Sequence, residues 1–158
     1  MLLMKFFFKK AWFMRWILNI WPPFLLTGIH IKSISNDYSS ACVELKMRPW
    51  NKNSFGCHFG GSLFAMTDPF YVLMLVAKLG NAYFVWDKSA DIDFIKPGKG
   101  KVTAYFHISQ TMLDDIKAQT KQGEKYLPKL AIEVKDQQGD TVVKLNRTLY
   151  IRRKKRAR

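Results

Sequence analysis

The sequence predicts an α+β domain in which a six-stranded antiparallel sheet curls around one long central helix, with an extra helix at the N-terminus. Apolar and polar residues alternate in six segments, as expected of strands that have one solvated face. One segment, residues 60–79, is apolar on nearly all sides, as expected of a helix that is buried almost completely. A curled sheet around that helix buries both sets of apolar residues.

The composition indicates a single folded domain. The chain has 158 residues, of which 48% are hydrophobic and 15% aromatic, so a core is available despite the net charge of +14. Its two cysteines, Cys42 and Cys57, lie far apart and form no metal-ligand pattern, which predicts neither a disulfide framework nor a metal site. We therefore expect reduced thiols and a cytoplasmic location.

Residues 1–22 form the first predicted unit, an apolar and basic helix over 2–20 that ends at Pro22 and Pro23. Four charged residues interrupt the apolar run, which argues against a signal peptide or a membrane span: Lys5, Lys9, Lys10 and Arg15. Two interpretations stay open. The helix packs on the domain or on a second subunit, or it lies on an anionic membrane surface as a peripheral contact.

Residues 23–151 form the second predicted unit, which contains the sheet and two helices. A helix is predicted over 111–122, with Thr111 and Asp114 at capping-box spacing and Gly123 at its end. The third unit is the basic tail 152–158, which is either simply solvated or attracts phosphate-rich partners without specificity. No RNA-binding or zinc-finger pattern is present, so no specific nucleic-acid partner is expected. The predicted strands are 27–34, 41–48, 90–94, 102–108, 130–134 and 141–151.

Asp68 is the only carboxyl group in the apolar central helix, and Pro69 follows it directly. A buried carboxylate is costly unless it is paired, hydrogen-bonded or protonated. Because a proline lacks the N–H group and frees the carbonyl four residues earlier, we expect the helix to kink here. Asp68 either accepts local hydrogen bonds at this break or is held there for chemistry.

Two glycines, Gly60 and Gly61, begin the same helix. Without Cβ atoms they allow a substrate to approach the free amides of the first turn, where an oxyanion is stabilised. Asp68 follows roughly 11 Å further along the helix, which is wide for a single carbonyl group. Antiparallel helices from two subunits would bring Asp68 of one chain opposite the glycines of the other.

The pattern N-x-x-G-x-x-x-G-G-x-x-F-x-x-x-D begins at Asn53 and ends at Asp68. It resembles the hotdog-fold thioesterases of the phenylacetate-pathway type, and the segments TDPF and VWDKSADIDFIKPGKGKV resemble a DUF4442-type subfamily of short bacterial proteins. The likeness covers roughly residues 20–151. It implies a hotdog fold, a homodimer or homotetramer, and hydrolysis of acyl-CoA thioesters at the subunit interface.

The resemblance also implies roles for individual residues. Asp68 would be the general base or nucleophile, Gly60 and Gly61 the oxyanion hole, and Asn53 would orient the attacking water or the thioester. These thioesterases have a histidine directly before the two glycines, where this chain has Phe59, with His58 one place earlier. At the position of a serine that some relatives use, this chain has Asp87, with Ser89 nearby.

The turn KPGKGK carries Lys96 and Lys99, which could meet the phosphates of coenzyme A or simply be solvated in a hairpin. No cofactor is expected, since coenzyme A is part of the substrate. The departure at Phe59 supports one alternative function, a non-catalytic acyl-CoA or fatty-acyl binding protein. In that alternative the aromatic, basic N-terminus offers a contact with membranes.

Overall fold

The computed structural model describes residues 10–154 and confirms the α+β architecture, with an antiparallel sheet packed against a central helical segment. The helices are α1 (Ala11–Ile20), α2 (Pro22–Thr27), α3 (Gly60–Ala65), α4 (Phe70–Leu79) and α5 (Gln110–Gln119). The strands are β1 (Ile29–Ile34), β2 (Ser40–Lys46), β3 (Tyr83–Phe94), β4 (Lys101–His107), β5 (Lys125–Tyr126), β6 (Lys129–Lys135) and β7 (Thr141–Arg153).

The strand order is β1-β2-β4-β6-β7-β3, and the two-residue β5 also pairs with β7. The described sheet thus has one short strand more than the six predicted. β1 begins at Ile29 rather than at residue 27, because Pro22–Thr27 form a short helix that Gly28 ends at φ 82°. A positive φ of this size favours glycine.

Strand β3 begins at Tyr83, seven residues before the predicted start. Aromatic side chains occupy its outward positions Phe84 and Trp86, so apolar and polar residues do not alternate there. A register shift between Asp87 and Ser89 then changes which residues face inward. Because of these two features, the alternation of apolar and polar residues does not predict the first half of this strand.

The central helix is broken, as the proline predicted. α3 ends at Ala65 and α4 begins at Phe70, with a cis peptide bond between Asp68 and Pro69. The carbonyl of Ala65, which the proline cannot pair, accepts a hydrogen bond from the Asp68 amide at 3.1 Å. By length and composition Gly60–Ala82 could also cross a membrane, but here it packs against the sheet as a core helix does.

Aromatic side chains fix α4 on the sheet. The Phe70 ring lies 4.9 Å from the ring of Phe106 in β4, and the Tyr71 ring lies 5.3 Å from the same ring. Since the residues before α4 carry Asp68, this packing sets the position of the helix break relative to the sheet.

Helix α1 covers the outer edge of β1. Its side chains Ala11, Met14 and Leu18 are buried, while the Asn19 amide group pairs with the backbone of Ile31. The predicted N-terminal helix is thus present from Ala11 onward, and its residues 2–9 lie outside the described part. The two prolines end α1 and also begin α2.

The ends of two other elements differ from their predictions. α5 spans Gln110–Gln119 instead of 111–122, and its N-cap is Ser109, whose Oγ accepts from the Met112 amide. The predicted capping box at Thr111 is wrong, because that residue already lies inside the helix. β7 continues to Arg153, so the first residues of the basic tail belong to the sheet, and 155–158 lie outside the described residues.

Candidate active site

Asp68 lies at the break between α3 and α4, with 46% of its side chain exposed. Its Oδ2 is 3.4 Å from Nη1 of Arg147, which projects from β7. The helix break thus leaves the carboxylate half accessible while a fixed cation holds one oxygen. The hydrogen-bond partner of the carboxylate is thus Arg147 on a distant strand, rather than a group at the helix break as the first interpretation of the sequence expected.

Arg147 is almost completely buried beneath this carboxylate. Its Nη1 also lies 3.2 Å from Oδ1 of Asp87 in β3, without the alignment of a hydrogen bond. Nη2 donates to the Thr67 hydroxyl at 3.2 Å, and the guanidinium lies 5.0 Å from the centre of the Phe64 ring. The two carboxylates, the hydroxyl and the ring surround one arginine, and we call these five residues the Arg147 cluster.

The electrostatics of the Arg147 cluster favour a basic Asp68. Burial raises the pKa of Asp68, and the charge on Asp87 raises it further, while Arg147 opposes both effects. One cation shared between two carboxylates cannot neutralise both fully. The net result is a carboxylate whose pKa lies above its ordinary value, which suits a group that accepts a proton.

Sequence reasoning singled out Asp68 and Asp87 but missed Arg147. The signal was present in β7, where one arginine interrupts an apolar row that faces the core. Alternate residues of a strand share a face, so a cation in that row must be buried and therefore paired. The row consists of Val143, Leu145, Arg147, Leu149 and Ile151.

The glycines begin α3 as predicted. Within residues 10–154 the structure gives the amides of Gly60 and Gly61 no acceptor. A Cβ on Gly61 would lie 2.3 Å from the ring of Phe59, and a Cβ on Gly60 would lie 3.1 Å from the ring of Phe94. A side chain at Gly61 would require the exposed Phe59 ring to move, whereas one at Gly60 would require the Phe94 ring to give by only a few tenths of an ångström.

Phe59 and His58 have opposite environments. The Phe59 side chain is 58% exposed, whereas His58 is buried and its Nε2 contacts the carbonyl of Gly100 at 2.8 Å. As a donor to that carbonyl, Nε2 carries the proton, and the buried Nδ1 has no hydrogen-bond partner among the described residues. Burial lowers the pKa of His58. A substrate contact by either residue stays a prediction.

Asn53 organises the loop before α3. Its Oδ1 accepts hydrogen bonds from the amides of Phe55 and Cys57 at 3.0 and 3.1 Å, and its Nδ2 donates to the carbonyl of His58 at 3.4 Å. These bonds shape the backbone that leads into the glycines. That Asn53 orients the attacking water stays a prediction.

A cavity of about 440 Å³ lies beside this loop. The loop supplies one wall, and the end of β3 with the turn that follows supplies the other. Gly60 lines the cavity, while Asp68 lies beyond the far end of α3, whose six residues rise about 9 Å. Its walls include Asn53, Phe55, Leu63, Phe94, Ile95 and Pro97.

The lysines predicted to meet phosphates differ in their surroundings. Nζ of Lys96 lies 2.7 Å from carboxylate oxygens of both Asp136 and Asp140, so two anions already neutralise this charge. Lys99 is exposed in the same turn. Ser89 is exposed on β3, beyond the register shift that follows Asp87.

No cluster of three or more histidine, cysteine or acidic side chains able to hold a metal occurs in residues 10–154. Cys42 and Cys57 are both buried as free thiols. The groups that the structure brings to this region are a half-exposed carboxylate paired with a buried arginine, the backbone amides at the start of α3, and an apolar cavity.

Solved structures with the same fold include several thioesterases. A protein from Pseudomonas aeruginosa described as a probable thioesterase, PA5026, is 15% identical with a TM-score of 0.78, over 89% of this chain and 93% of that one. PaaI of the phenylacetic acid degradation operon of E. coli is 20% identical, with a TM-score of 0.63 over 92% and 94%. Thioesterase superfamily member 2 of Mus musculus is 15% identical, with a TM-score of 0.63 over 89% and 96%.

These likenesses confirm the hotdog fold that the resemblance implied. No curated protein matches the sequence significantly. The family model of a domain of unknown function, DUF4442, matches residues 9–151. The chain therefore belongs to the DUF4442 family.

Proposed function

We propose that this protein hydrolyses acyl-CoA thioesters, with Asp68 as the general base. The observation that carries the proposal is the half-exposed carboxylate at the helix break, whose pKa is raised and whose orientation is fixed by the buried Arg147. A carboxylate of this kind accepts a proton from water near neutral pH more readily than an ordinary aspartate. The thioesterases that share the fold support the reaction class.

The proposed reaction proceeds by attack of water on the thioester. Asp68 takes a proton as the water oxygen bonds to the carbonyl carbon, and backbone amides at the start of α3 stabilise the oxyanion. Collapse of the tetrahedral intermediate breaks the C–S bond, and the thiolate of coenzyme A takes up the proton that Asp68 received. Asp87 keeps the pKa of Asp68 raised, and Asn53 shapes the loop that presents the amides.

The proposed site contains residues of two subunits. The amide of Gly60 and the carboxylate of Asp68 in one chain lie at opposite ends of α3, too far apart for one carbonyl group. A homodimer with antiparallel central helices would place Asp68 of one chain opposite Gly60 and Gly61 of the other. The homodimer, or a tetramer built from it, is part of the proposal.

The two edges of the sheet support this assembly. α1 covers the β1 edge, where Asn19 occupies the hydrogen-bonding groups of Ile31. β3, at the other edge, is 12 residues long and pairs only with β7 among the described strands. A long open edge strand is a template for pairing with another chain. We propose that a second β3 occupies it.

The cavity beside Gly60 suits the apolar part of the substrate. Phe55, Leu63, Phe94 and Ile95 give it apolar walls, and it opens next to the amides that would hold the carbonyl oxygen. Lys99 is the better candidate for a coenzyme A phosphate, since Lys96 is already paired with two carboxylates. Ser89 and His58 complete the proposed substrate contacts.

Thiol release from acyl-CoA esters of short, long and aromatic chains tests this function. We expect turnover of at least one ester class by the purified full-length protein, with the acyl preference set by the cavity. The absence of turnover on every ester, with the protein folded, would contradict the proposal.

One observation favours a second function, non-catalytic binding of acyl-CoA or fatty-acyl groups. Phe59 stands at the position where the thioesterases of the resemblance have a histidine. Its ring packs over Gly61 and so places an apolar group beside the proposed oxyanion hole. Calorimetric titration with the same esters separates the two functions. Binding without thiol release would support the second one, and release of thiol would exclude it.

A further inference from the structure

An unusually apolar surface lies on α1, α2 and the loop after β2. Its seven side chains are between 44% and 70% exposed, although all of them are large and hydrophobic. Four of the five tryptophans of the chain belong to it. We call it the tryptophan surface, and it consists of Trp12, Trp16, Ile20, Trp21, Leu25, Leu26 and Trp50.

On α1, the tryptophan surface occupies the side of the helix that faces away from the domain, and the other side of the helix is already packed. Trp12, Trp16 and Ile20 follow at intervals of four residues and so share one face of α1. Ala11, Met14 and Leu18 are buried on the opposite side against the domain. Burial against the domain therefore explains the inner side. On the outer row, the Phe13 ring lies 5.7 Å from the ring of Trp12 and 6.2 Å from that of Trp16, yet the three side chains of the row remain 48–60% exposed.

Trp50 connects the loop to α2. Its indole Nε1 donates to the carbonyl of Leu26 at 3.0 Å, which fixes the ring beside the exposed leucines. Soluble monomers rarely expose contiguous apolar patches larger than a few hundred Å², and larger ones mark sites of protein or membrane interaction. Indole rings are enriched where an apolar phase meets water, because the ring is apolar and its N–H is polar.

The charges around the tryptophan surface have one sign. No acidic residue occurs among the first 36 residues of the chain, which contain five lysines and arginines. Lys10 and Arg15 flank the row on α1, and the Arg48 side chain lies beside Gly28 at the end of α2. Glu44, the one acidic residue in β2, is buried and paired with Lys101 at 3.0 Å.

This charge pattern distinguishes between two occupants. A second copy of the chain on a two-fold axis would place the same patch against itself, and the basic residues would meet basic residues with no carboxylate to pair them. A bilayer of anionic phospholipids offers both an apolar interior and a negative surface. We propose that the tryptophan surface docks this protein on anionic phospholipid bilayers. This docking is independent of the proposed hydrolysis.

Vesicle flotation with the full-length protein tests the docking. We expect binding to vesicles of phosphatidylcholine with 30% phosphatidylglycerol, weaker binding to phosphatidylcholine alone, and a blue shift of tryptophan emission on binding. Trp16→Ser combined with Leu26→Ser should lower the partition coefficient about tenfold or more, since two exposed apolar side chains no longer enter the bilayer. Tyr105→Ser, which removes an exposed aromatic side chain from β4, is the matched control and should bind as the wild type does.

A pair of charge reversals tests the electrostatic part. Lys10→Glu with Arg48→Glu should weaken binding to anionic vesicles, whereas Lys88→Glu with Lys125→Glu changes the net charge equally but lies on other elements and should weaken it less. Three results would overturn the proposal. The first is that the wild-type protein does not bind anionic vesicles at low salt. The second is that the Trp16 and Leu26 double variant binds them as well as the wild type does, and the third is that this variant loses an oligomer while its vesicle binding equals that of the wild type.

Discussion

At the scale of single residues, Arg147 is the group that gives the candidate site its properties. A buried guanidinium is costly unless it is paired and hydrogen-bonded, and here two carboxylates, a hydroxyl and an aromatic ring surround it. Because Asp68 and Asp87 compete for the same Nη1 atom, neither carboxylate receives the full stabilisation of an exclusive ion pair. The arrangement positions Asp68 without making it a weak base.

Asp87→Asn should move the acid side of the activity profile to lower pH. The charge on Asp87 raises the pKa of Asp68, so its removal lowers that pKa and leaves Arg147 to Asp68 alone. The measurement is the pH dependence of kcat/KM for the best ester. Asp91→Asn, an exposed position on the same strand, is the control and should leave the profile unchanged. An acid limb that stays in place or moves to higher pH in Asp87→Asn would contradict the electrostatic account.

His58 should make the fold sensitive to acid. Burial lowers the pKa of His58 below 6.5, so the unfolded chain binds its proton at a pH where the folded chain does not. The free energy of unfolding should therefore fall as the pH drops below about 6.5, and above that pH His58 adds no pH dependence. Denaturant melts at pH 7.5 and 5.5 measure this difference.

His58→Gln should reduce that pH dependence, because its amide can still donate to the carbonyl of Gly100 but does not titrate. His107→Gln, at an exposed position of β4, should leave the dependence as it is in the wild type. Equal slopes in all three proteins would exclude His58 as the source.

At the scale of elements, α1 acts as a cover for one edge of the sheet. Asn19 accepts from the Ile31 amide at 2.7 Å and donates to the Ile31 carbonyl at 3.1 Å, as a neighbouring strand would. Arg15 adds a hydrogen bond to the carbonyl of Lys32 at 3.0 Å. A helix thus satisfies backbone groups that would otherwise be open to pairing with another chain.

Asn19→Ala should destabilise the fold by about 1–3 kcal/mol, because an N–H and a C=O group lose their partners together. Urea unfolding measures the change. The matched control is Asn146→Ala at an exposed position of β7, for which we expect a change within about 0.5 kcal/mol. Equal effects of the two substitutions would show that the Asn19 bonds contribute nothing particular to the edge.

Alternation predicted those strands that bury one face and expose a polar one, such as β4 and β6. It failed at the first half of β3, where exposed aromatic residues and a register shift hide the period. Pro69 correctly predicted the helix break, since the loss of an N–H group is a local effect. Arg147 was missed because its partners come from α3, β3 and the helix break, which only the folded chain brings together.

At the scale of the whole molecule, two surfaces of opposite character remain for other partners. The open β3 edge offers backbone hydrogen bonds, which suit a second copy of the chain, and the tryptophan surface offers apolar side chains within a basic rim. α1 covers the β1 edge, and its outer face carries much of the tryptophan surface. The proposed dimerisation and the proposed membrane docking therefore use different parts of the molecule and should be separable by substitution.

The most direct test of the account is the effect of Asp68→Asn on the hydrolysis of acyl-CoA. Asparagine keeps the size of the side chain but cannot accept a proton from water, so kcat should fall about 10²–10⁴-fold while circular dichroism and oligomeric mass stay unchanged. Asp91→Asn, an equal change of charge on β3, should retain wild-type kcat. Full activity in Asp68→Asn would contradict the assignment of Asp68 as the catalytic base and, with it, the central claim.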